Sequence, residues 1–512
     1  MAGEKVLILD FGSQYTQLIA RRVREMGVYS VIERYDHPVS EFDPSVSAII
    51  LSGGPSSIYE SDAPRCSPEI LQLGKPILGI CYGMQVTAHV LGCPIVKGGR
   101  SEYGETLLTI VEPDLLFDGF DKGETTRVWM SHKDRVEELP PGFRLLAHTE
   151  NSHIASFGNL EKKIYGVQFH PEVIHTVRGM DVLRNFLFRI CRLKGDWSLG
   201  DFIEEAMEGI RTVVANGKAI GAMSGGVDSS VASLLAHRAI GKNYIPIFVD
   251  TGLLRSGDRE RVESLGREFQ ITPHIIDAEE DFLRRLKGVT DPEEKRRRIG
   301  NMFIEIFETE AAREGGIEYL IQGTLYPDVI ESLSVRGPSS TIKTHHNVGG
   351  LPDNVPFTLI EPLKELFKDE VREVGRALGA SDQILGRHPF PGPGLAVRIL
   401  GEVTREALTT LRSADRIFIE EIEAMGIYDE IWQAFAVLLP VRSVGVMGDE
   451  RTYENVVALR AVTSRDGMTA DWYRFTGEQL GHISNRIVNE VEGVNRVVYD
   501  VSSKPPSTIE WE

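Results

Sequence analysis

Three short apolar runs limit most strongly what this chain can fold into. Lys5–Asp10 (KVLILD), Ala48–Ser52 (AIILS) and Pro76–Cys81 (PILGIC) are apolar at almost every position, and each ends in a glycine-containing turn. A strand with one face in water alternates apolar and polar residues; these runs do not, so both faces must be covered. That requires parallel strands sandwiched by helices, an α/β domain. Residues 95–170 are richer in β pattern, with Thr106–Val111 and Ile164–Phe169 as the best strands. Arg178–Leu193 reads as an amphipathic helix, and Lys194-Gly195-Asp196 as a linker.

A second alternation begins near residue 200. Lys218–Met223, Tyr244–Val249, His274–Ile276 and Tyr319–Gln322 read as strands separated by helical stretches, the pattern of a doubly wound parallel sheet. Residues 334–356 form a long Gly/Pro/Ser/Thr/His-rich loop, a length that usually serves function. His388–Gly394 (HPFPGPG) holds three prolines and two glycines, so it is neither helix nor central strand and marks a boundary. A small α+β part follows, with Ser443–Met447 and Arg496–Val501 as strands. The 512-residue length accords with this division into 1–195, 196–387 and 388–512.

No run reaches the ~18 apolar residues of a membrane span, and no basic stretch followed by an apolar core opens the chain. Four cysteines in 512 residues do not make a disulfide framework, so a reducing cytoplasmic setting is expected. A net charge of −19 argues against a nucleic-acid partner, and a membrane partner is not expected either. A small anionic ligand needs only a few local cations.

Two motifs carry chemistry. Gly79-Ile80-Cys81-Tyr82-Gly83 joins a buried strand to a helix (Met84–Leu91), a nucleophile elbow whose glycines permit a tight turn. A thiolate at a helix N-terminus is favoured by the dipole. Gly166–Glu172 (GVQFHPE) places His170 and Glu172 two apart in chain kept extended by Pro171, so Glu172 can orient the imidazole. Ser52-Gly53-Gly54-Pro55 ends another strand with N–H groups suited to an oxyanion. In this order and spacing, the three motifs resemble class I glutamine amidotransferases over residues 1 to 195. The resemblance implies that Cys81 attacks the glutamine side-chain amide, that Gly54 and Tyr82 serve the oxyanion, and that Gln85 helps hold glutamine. Two departures stand out: Ser101-Glu102-Tyr103-Gly104 where relatives commonly have R-E-Y-G, and Met130-Ser131-His132-Lys133-Asp134 where they have M-S-H-G-D.

The second motif is Ser224-Gly225-Gly226-Val227-Asp228-Ser229-Ser230, between strand Lys218–Met223 and helix Ser230–Ala239. Backbone N–H groups, three hydroxyls and the helix dipole converge on an anion. No G-K-[ST] is present, so this is not a Walker loop. It resembles the loop of N-type ATP pyrophosphatases, which implies pyrophosphate held by the loop, Mg²⁺ placed by Asp228 and adenine near Val249. No cysteine follows Cys191, which argues against the sulfur-transferring branch of that family.

Lys295-Arg296-Arg297-Arg298 is a basic cluster opening a helix in an acidic chain. His345-His346 lacks a third ligand at metal spacing, so loop residues 342–350 read as a lid rather than a metal site. The tail Ser503–Glu512 carries Pro505-Pro506 and Trp511, which is odd for a stretch expected to fray. With QGTLYPDVIES, FPGPGLAVR and SVGVMGD, these pieces resemble the GMP synthase family from end to end. That resemblance implies XMP contacts by Arg296, Lys504 and Glu510, an ATP lid containing Lys343, a C-terminal dimerisation module and so a homodimer. Arg298 departs from the family's K-R-K-I-I-G. The implied substrates are XMP, ATP and L-glutamine, with Mg²⁺. The rival readings are an adenylating amidotransferase acting on a carboxylate, and a glutamine or nucleotide sensor without turnover.

Overall fold

The computed structural model describes residues 4–13, 15–326, 356–447, 450–464, 470–504 and 506–512, with backbone alone at 98–101, 447 and 450. The chain forms two compact units, Met1–Asp201 and Phe202–Glu512.

The first unit is built on one nine-stranded sheet. Its strands are β1 (Lys5–Asp10), β2 (Tyr29–Arg34), β3 (Val46–Leu51), β4 (Ile77–Ile80), β5 (Ile95–Ile110), β6 (Thr125–Val136), β7 (Arg144–His148), β8 (Ser156–Asn159) and β9 (Ile164–Val167). They lie in the order β2-β1-β3-β4-β9-β8-β7-β5-β6. The half from β2 to β9 is parallel, and β8 to β6 is antiparallel. Every residue of β4 and β9 is buried, as their unbroken apolar runs require. In β6 burial alternates, and the inward set includes two polar residues, His132 and Asp134. The expected helix over 178–193 is shorter and changes character. It is α-helical over Gly179–Arg184 and widens to a π-helix over Asn185–Ile190, closed by Cys191 N–H donating to the Phe186 carbonyl at 2.9 Å. The stretch read as a linker is docked: Trp197 N–H donates to Gly27 O at 2.9 Å, and its ring lies 5.7 Å from Tyr29.

The second unit contains a parallel sheet in the order β12-β11-β10-β13-β14, from β10 (Ala219–Ala222), β11 (Tyr244–Asp250), β12 (His274–Asp277), β13 (Tyr319–Ile321) and β14 (Thr358–Ile360). The chain winds outward from β10 in one direction, then returns to add β13 on its other side. The carboxyl end of β10 is therefore the topological switch point, where such sheets open a crevice. Helix α1 (Tyr82–Val90) follows β4 in the first unit, and α2 (Val227–Ile240) follows β10 here. Eight residues of α2 are buried around its whole circumference, so it is a core helix rather than an amphipathic one.

A second sheet pairs β15 (Gln433–Met447) with β16 (Glu450–Thr463), and β16 with β17 (Asp471–Trp472) and β18 (Val494–Tyr499). One apolar core runs under both sheets, joining Ile220, Ile247 and Phe282 to Leu395, Phe418 and Leu459. The boundary expected at residues 387/388 lies within this unit.

The tail does not fray. Arg460 is fully buried, and its guanidinium donates to Ile509 O at 2.7 Å, Thr508 O at 2.9 Å and Ser502 O at 3.1 Å, and pairs with Asp500 at 2.8 Å. Ile509 enters a small apolar cluster with Phe435, Val437 and Val462. Among the described residues, no helix is long and apolar enough to cross a membrane. All four cysteines are free.

Candidate active site

Strand β4 stops at Ile80, and Cys81 turns the chain into α1 with φ 51° and ψ −105°. A positive φ on a residue with a Cβ is strained and persists only where surroundings impose it. Cys81 N–H donates to Val167 O at 2.8 Å, and Gly83 N–H to Ser52 O at 3.0 Å, so β9 and β3 clamp the turn from both sides. The flanking glycines are required by crowding. A Cβ at Gly83 would sit 2.2 Å from Leu51 O, and one at Gly79 2.6 Å from Gly83 O. The left-handed conformation falls on the cysteine itself.

The extended chain after β9 brings His170 and Glu172 together as their spacing predicts, with Nδ1 2.7 Å from Oε1. Thr176 Oγ1 donates to His170 O at 2.6 Å and Arg22 Nε to Glu172 O at 3.1 Å, fixing both backbones. Cys81, His170 and Glu172 are 2%, 3% and 1% exposed, so their electrostatics act with little screening. Burial opposes the charged imidazole, but the negative charges of Glu172 and Cys81 and hydrogen bonds to both outweigh it. His170 is raised well above the ordinary histidine value. An imidazolium held beside a sulfur nucleophile is the arrangement that acyl transfer through a thioester needs.

Two neighbours of the sulfur and one of the imidazole escaped sequence reasoning. Gln168 Nε2 donates to Sγ at 3.7 Å, Sγ lies 3.6 Å from Ser131 O, and the Tyr15 ring meets His170 edge-on at 5.1 Å. Gly54 lies beside Tyr82, since a Cβ there would be 3.3 Å from Tyr82 Cδ1. Gln85 is buried, and its amide donates to Asp134 O at 2.8 Å and Gln168 Oε1 at 3.4 Å. Beyond it, Glu102 accepts from His132, Thr149 and Ser152. Burial would raise this carboxyl, but those hydrogen bonds prevail and bring it down to about 2. Lys133 is exposed, and the side chain of Ser101 lies outside the described residues.

The second constellation sits at the switch point of the parallel sheet. Gly225 adopts φ +76°, and Ser224 Oγ and Ser229 Oγ lie 2.8 Å apart. Asp228 Oδ2 is 3.3 Å from Lys368 Nζ, while Asp228 Oδ1 and Ser230 Oγ are buried without a hydrogen-bond partner among the described residues. The cavity is lined by apolar Phe248, Val249, Phe303 and Phe307 and by Ser224, Gly226, Asp228 and Lys368. Such a lining offers both apolar surface for an aromatic base and polar groups for a phosphate chain. Gly323 packs against the loop, where a Cβ would lie 2.8 Å from the carbonyl carbon of Asp228. Lys368 was missed because it lies 140 positions from Asp228. His388–Gly394, read only as a boundary, also walls this cavity, together with Arg387.

The three residues expected to meet XMP all touch the tail or belong to it. Arg296 Nη2 donates to Glu512 O at 2.5 Å. Glu510 accepts from Arg398 at 2.8 and 3.1 Å and from Gln433 at 2.6 Å. Lys504 pairs by backbone with Ala470, its N–H donating at 2.8 Å. Lys295, passed over in favour of Arg296, is fully buried and bonds Ile399 O and Glu512, both at 2.6 Å. Arg298 turns to Glu294 at 2.6 Å and Arg285 O at 2.9 Å. Lys343 lies outside the described residues.

The charge coupling within the first constellation is testable. Replacing Glu172 by Gln removes the principal group that raises His170 and leaves burial, which lowers it. The pH above which the imidazolium is lost should move down, and glutamine hydrolysis should fall by ~10²-fold or more. A pH–rate profile identical to that of the parent would show that Glu172 does not set the charge of His170.

Residues 7–190 match the family model for class I glutamine amidotransferases, and residues 420–511 match the model for the GMP synthase C-terminal domain. The chain is 57% identical to the glutamine-hydrolysing GMP synthase of Aquifex aeolicus, with 100% of both chains covered. It is 56% identical to that of Thermosipho africanus over 99% of each, and 56% identical to that of Caldicellulosiruptor saccharolyticus over 100% of each. The chain belongs to the family of glutamine-hydrolysing GMP synthases.

Proposed function

We propose that the chain converts XMP to GMP in two linked half-reactions, with Cys81 releasing ammonia from glutamine and the Ser224–Ser230 loop presenting ATP. The observation that carries this is the occurrence in one chain of a buried Cys81–His170–Glu172 line and a serine-glycine loop at a parallel-sheet switch point. The division of labour follows residues 1–195, 196–387 and 388–512.

In the first half-reaction the Cys81 thiolate attacks the side-chain amide carbon of glutamine. Gly54 and Tyr82 N–H groups receive the oxyanion. His170 gives its proton to the departing nitrogen, ammonia leaves, and water attacks the thioester to release glutamate and restore the thiol. Gln85, tied to Asp134 O, holds the segment that faces the substrate.

In the second half-reaction the C2 oxygen of XMP attacks the α-phosphorus of ATP, and pyrophosphate leaves into the loop. Ammonia then attacks C2, AMP departs with that oxygen, and a proton is lost. Adenylation is needed because an amide-like oxygen is a poor leaving group. Serine hydroxyls, loop N–H groups and Lys368 supply the pyrophosphate contacts, and Val249 marks the adenine end. The buried, unpartnered Asp228 Oδ1 fits one carboxylate ligand of a Mg²⁺ carried on ATP phosphates, which would neutralise their charge.

XMP is held by Arg296, Lys504 and Glu510. Glu510 makes three hydrogen bonds already, and a carboxylate has capacity for about four, so one acceptor position remains for the ligand. A homodimer forms through the outer face of the C-terminal sheet, where Val444, Val446 and Tyr453 are 38%, 74% and 60% exposed and Val444 lies opposite Tyr453. Free thiols accord with a cytoplasmic setting.

Cys81→Ala should end glutamine use but keep GMP formation from high ammonium, with ATP going to AMP and pyrophosphate. Stoichiometric ADP, or loss of both activities in a folded variant, would overturn the scheme. Deleting the tail is a poor test of XMP binding, because it strips buried Arg398 and Arg460 of their partners. Lys504→Met is better. Loss of a charged hydrogen bond of ~1.5–3 kcal/mol should raise KM for XMP roughly tenfold to a hundredfold. An unchanged KM removes Lys504 from the site. Sedimentation should give twice the chain mass, and Val446→Lys should halve it; a single-chain mass for the parent rules out the dimer.

A further inference from the structure

The mechanism above uses the phosphate loop but not the cation beneath it. Arg387 is 6% exposed, and Nη1 donates to the Gly225 carbonyl at 3.0 Å. Its other arm, Nη2, pairs with Asp258, itself buried at the start of the Asp258–Phe269 helix. The Phe390 ring lies 5.8 Å from the guanidinium. Burial opposes the charge and holds this arginine below its ordinary value despite Asp258. An arginine nevertheless stays protonated.

We propose that Arg387 is a positioning residue for ATP: by fixing the Gly225 carbonyl it sets the phosphate loop in its receiving shape. The inference rests on the reading of Ser224–Ser230 as the ATP-phosphate loop.

Three physical points support it. The Gly225 carbonyl and the Gly226 N–H belong to one trans peptide, so they point in opposite directions. Tying the carbonyl to Arg387 turns the Gly226 N–H the other way. Second, Gly225 at φ +76° lacks the Cβ that would restrict this peptide, so it can flip. A flipped peptide would aim a carbonyl oxygen where the N–H belongs and repel a phosphate. A bidentate guanidinium anchored by Asp258 blocks that flip. Third, the loop has no lysine of its own, and Arg387 places a permanent positive charge against its back.

Arg387 is itself fixed by the segment that follows it. Gly394 has φ +65°, a Cβ there would lie 2.3 Å from Leu253 O, and Leu395 N–H donates to that carbonyl at 2.7 Å. The prolines and glycines of His388–Gly394 thus dock beside the loop and deliver the arginine to it.

The test uses the full chain with ammonium as nitrogen donor, and glutamine hydrolysis as the check that the protein is intact. Arg387→Lys keeps a charge but loses the fork; Arg387→Ala loses both. Each should raise KM for ATP by ~10- to 100-fold, the range set by a misplaced contact and by a lost charged hydrogen bond. KM for XMP should move much less. Millimolar guanidinium should restore part of the Arg387→Ala activity, because it can refill the gap between Gly225 and Asp258. A KM for ATP within twofold of the parent overturns the inference. So does lower thermal stability with kinetics unchanged, or a loss that guanidinium does not rescue. If Arg387→Ala fails to fold, Asp258→Asn decides: a smaller rise in the same KM supports the role, and no rise overturns it. Asp228→Asn separates the two levels. If it leaves ATP use intact, the loop reading itself fails. If it abolishes ATP use while the Arg387 variants behave as the parent, only the present inference fails.

Discussion

Buried guanidinium groups hold together the part of the second unit that has no regular structure. Among the described residues, Arg398 and Arg460 are the largest fully buried side chains. Each reaches segments that neither a helix nor a strand ladder satisfies: Arg460 takes carbonyls of the tail, and Arg398 takes Glu510. Arg412 does the same for Gly252 O and Leu254 O beside the cavity at the switch point. A cation out of water is costly unless fully bonded. Arg460 meets that condition with four acceptors, while Arg398 leaves Nη1 with only an ion pair to Asp415 at 3.9 Å; their partners come from distant positions, and so they order loops whose own hydrogen bonds are too few. Phe390 sits among three of them, Arg255, Arg387 and Arg398, with ring-to-guanidinium distances of 5.1–5.8 Å.

The first unit solves the matching problem by backbone geometry. Its Cys81 is a strained residue, and the strain is held by two backbone hydrogen bonds from the turn to Val167 and Ser52 and by two glycines pressed against carbonyls. No side-chain cation is needed there, because a parallel sheet already clamps the turn from both neighbouring strands. The charge that the chemistry needs is generated by pairing, with Glu172 and Cys81 acting on one imidazole.

The meeting of Cys81, His170 and Glu172 was legible because its information is local. A strand that is apolar throughout, a glycine-flanked cysteine and a His-Pro-Glu spacing each specify geometry within a few residues. The parallel sheets were legible for the same reason. What stayed hidden depends on contacts between remote segments. Lys368 meets Asp228 from 140 positions away, and Arg387 meets Gly225 from 162. Composition showed that His388–Gly394 forms no helix or strand, but not that irregular chain would line a cavity. Position argued that the tail frays, yet burial of Arg460 beneath it depends on the whole sheet. The π-helix at Asn185–Ile190 replaced a regular helix without any proline or glycine to announce it.

The anchoring of the tail sets the order in which the molecule can be completed. Arg398 lies 112 positions before its partner Glu510, and Lys295 lies 217 before Glu512. Chains emerge from synthesis in sequence order, and domains tend to fold as they appear. The first unit is compact within its own 201 residues and can close early. The second cannot complete the bonding of buried Lys295, Arg398 and Arg460 until its final strand and tail have been made. Its last folding step is therefore a long-range loop closure, slow by the same entropy that makes distant contacts costly.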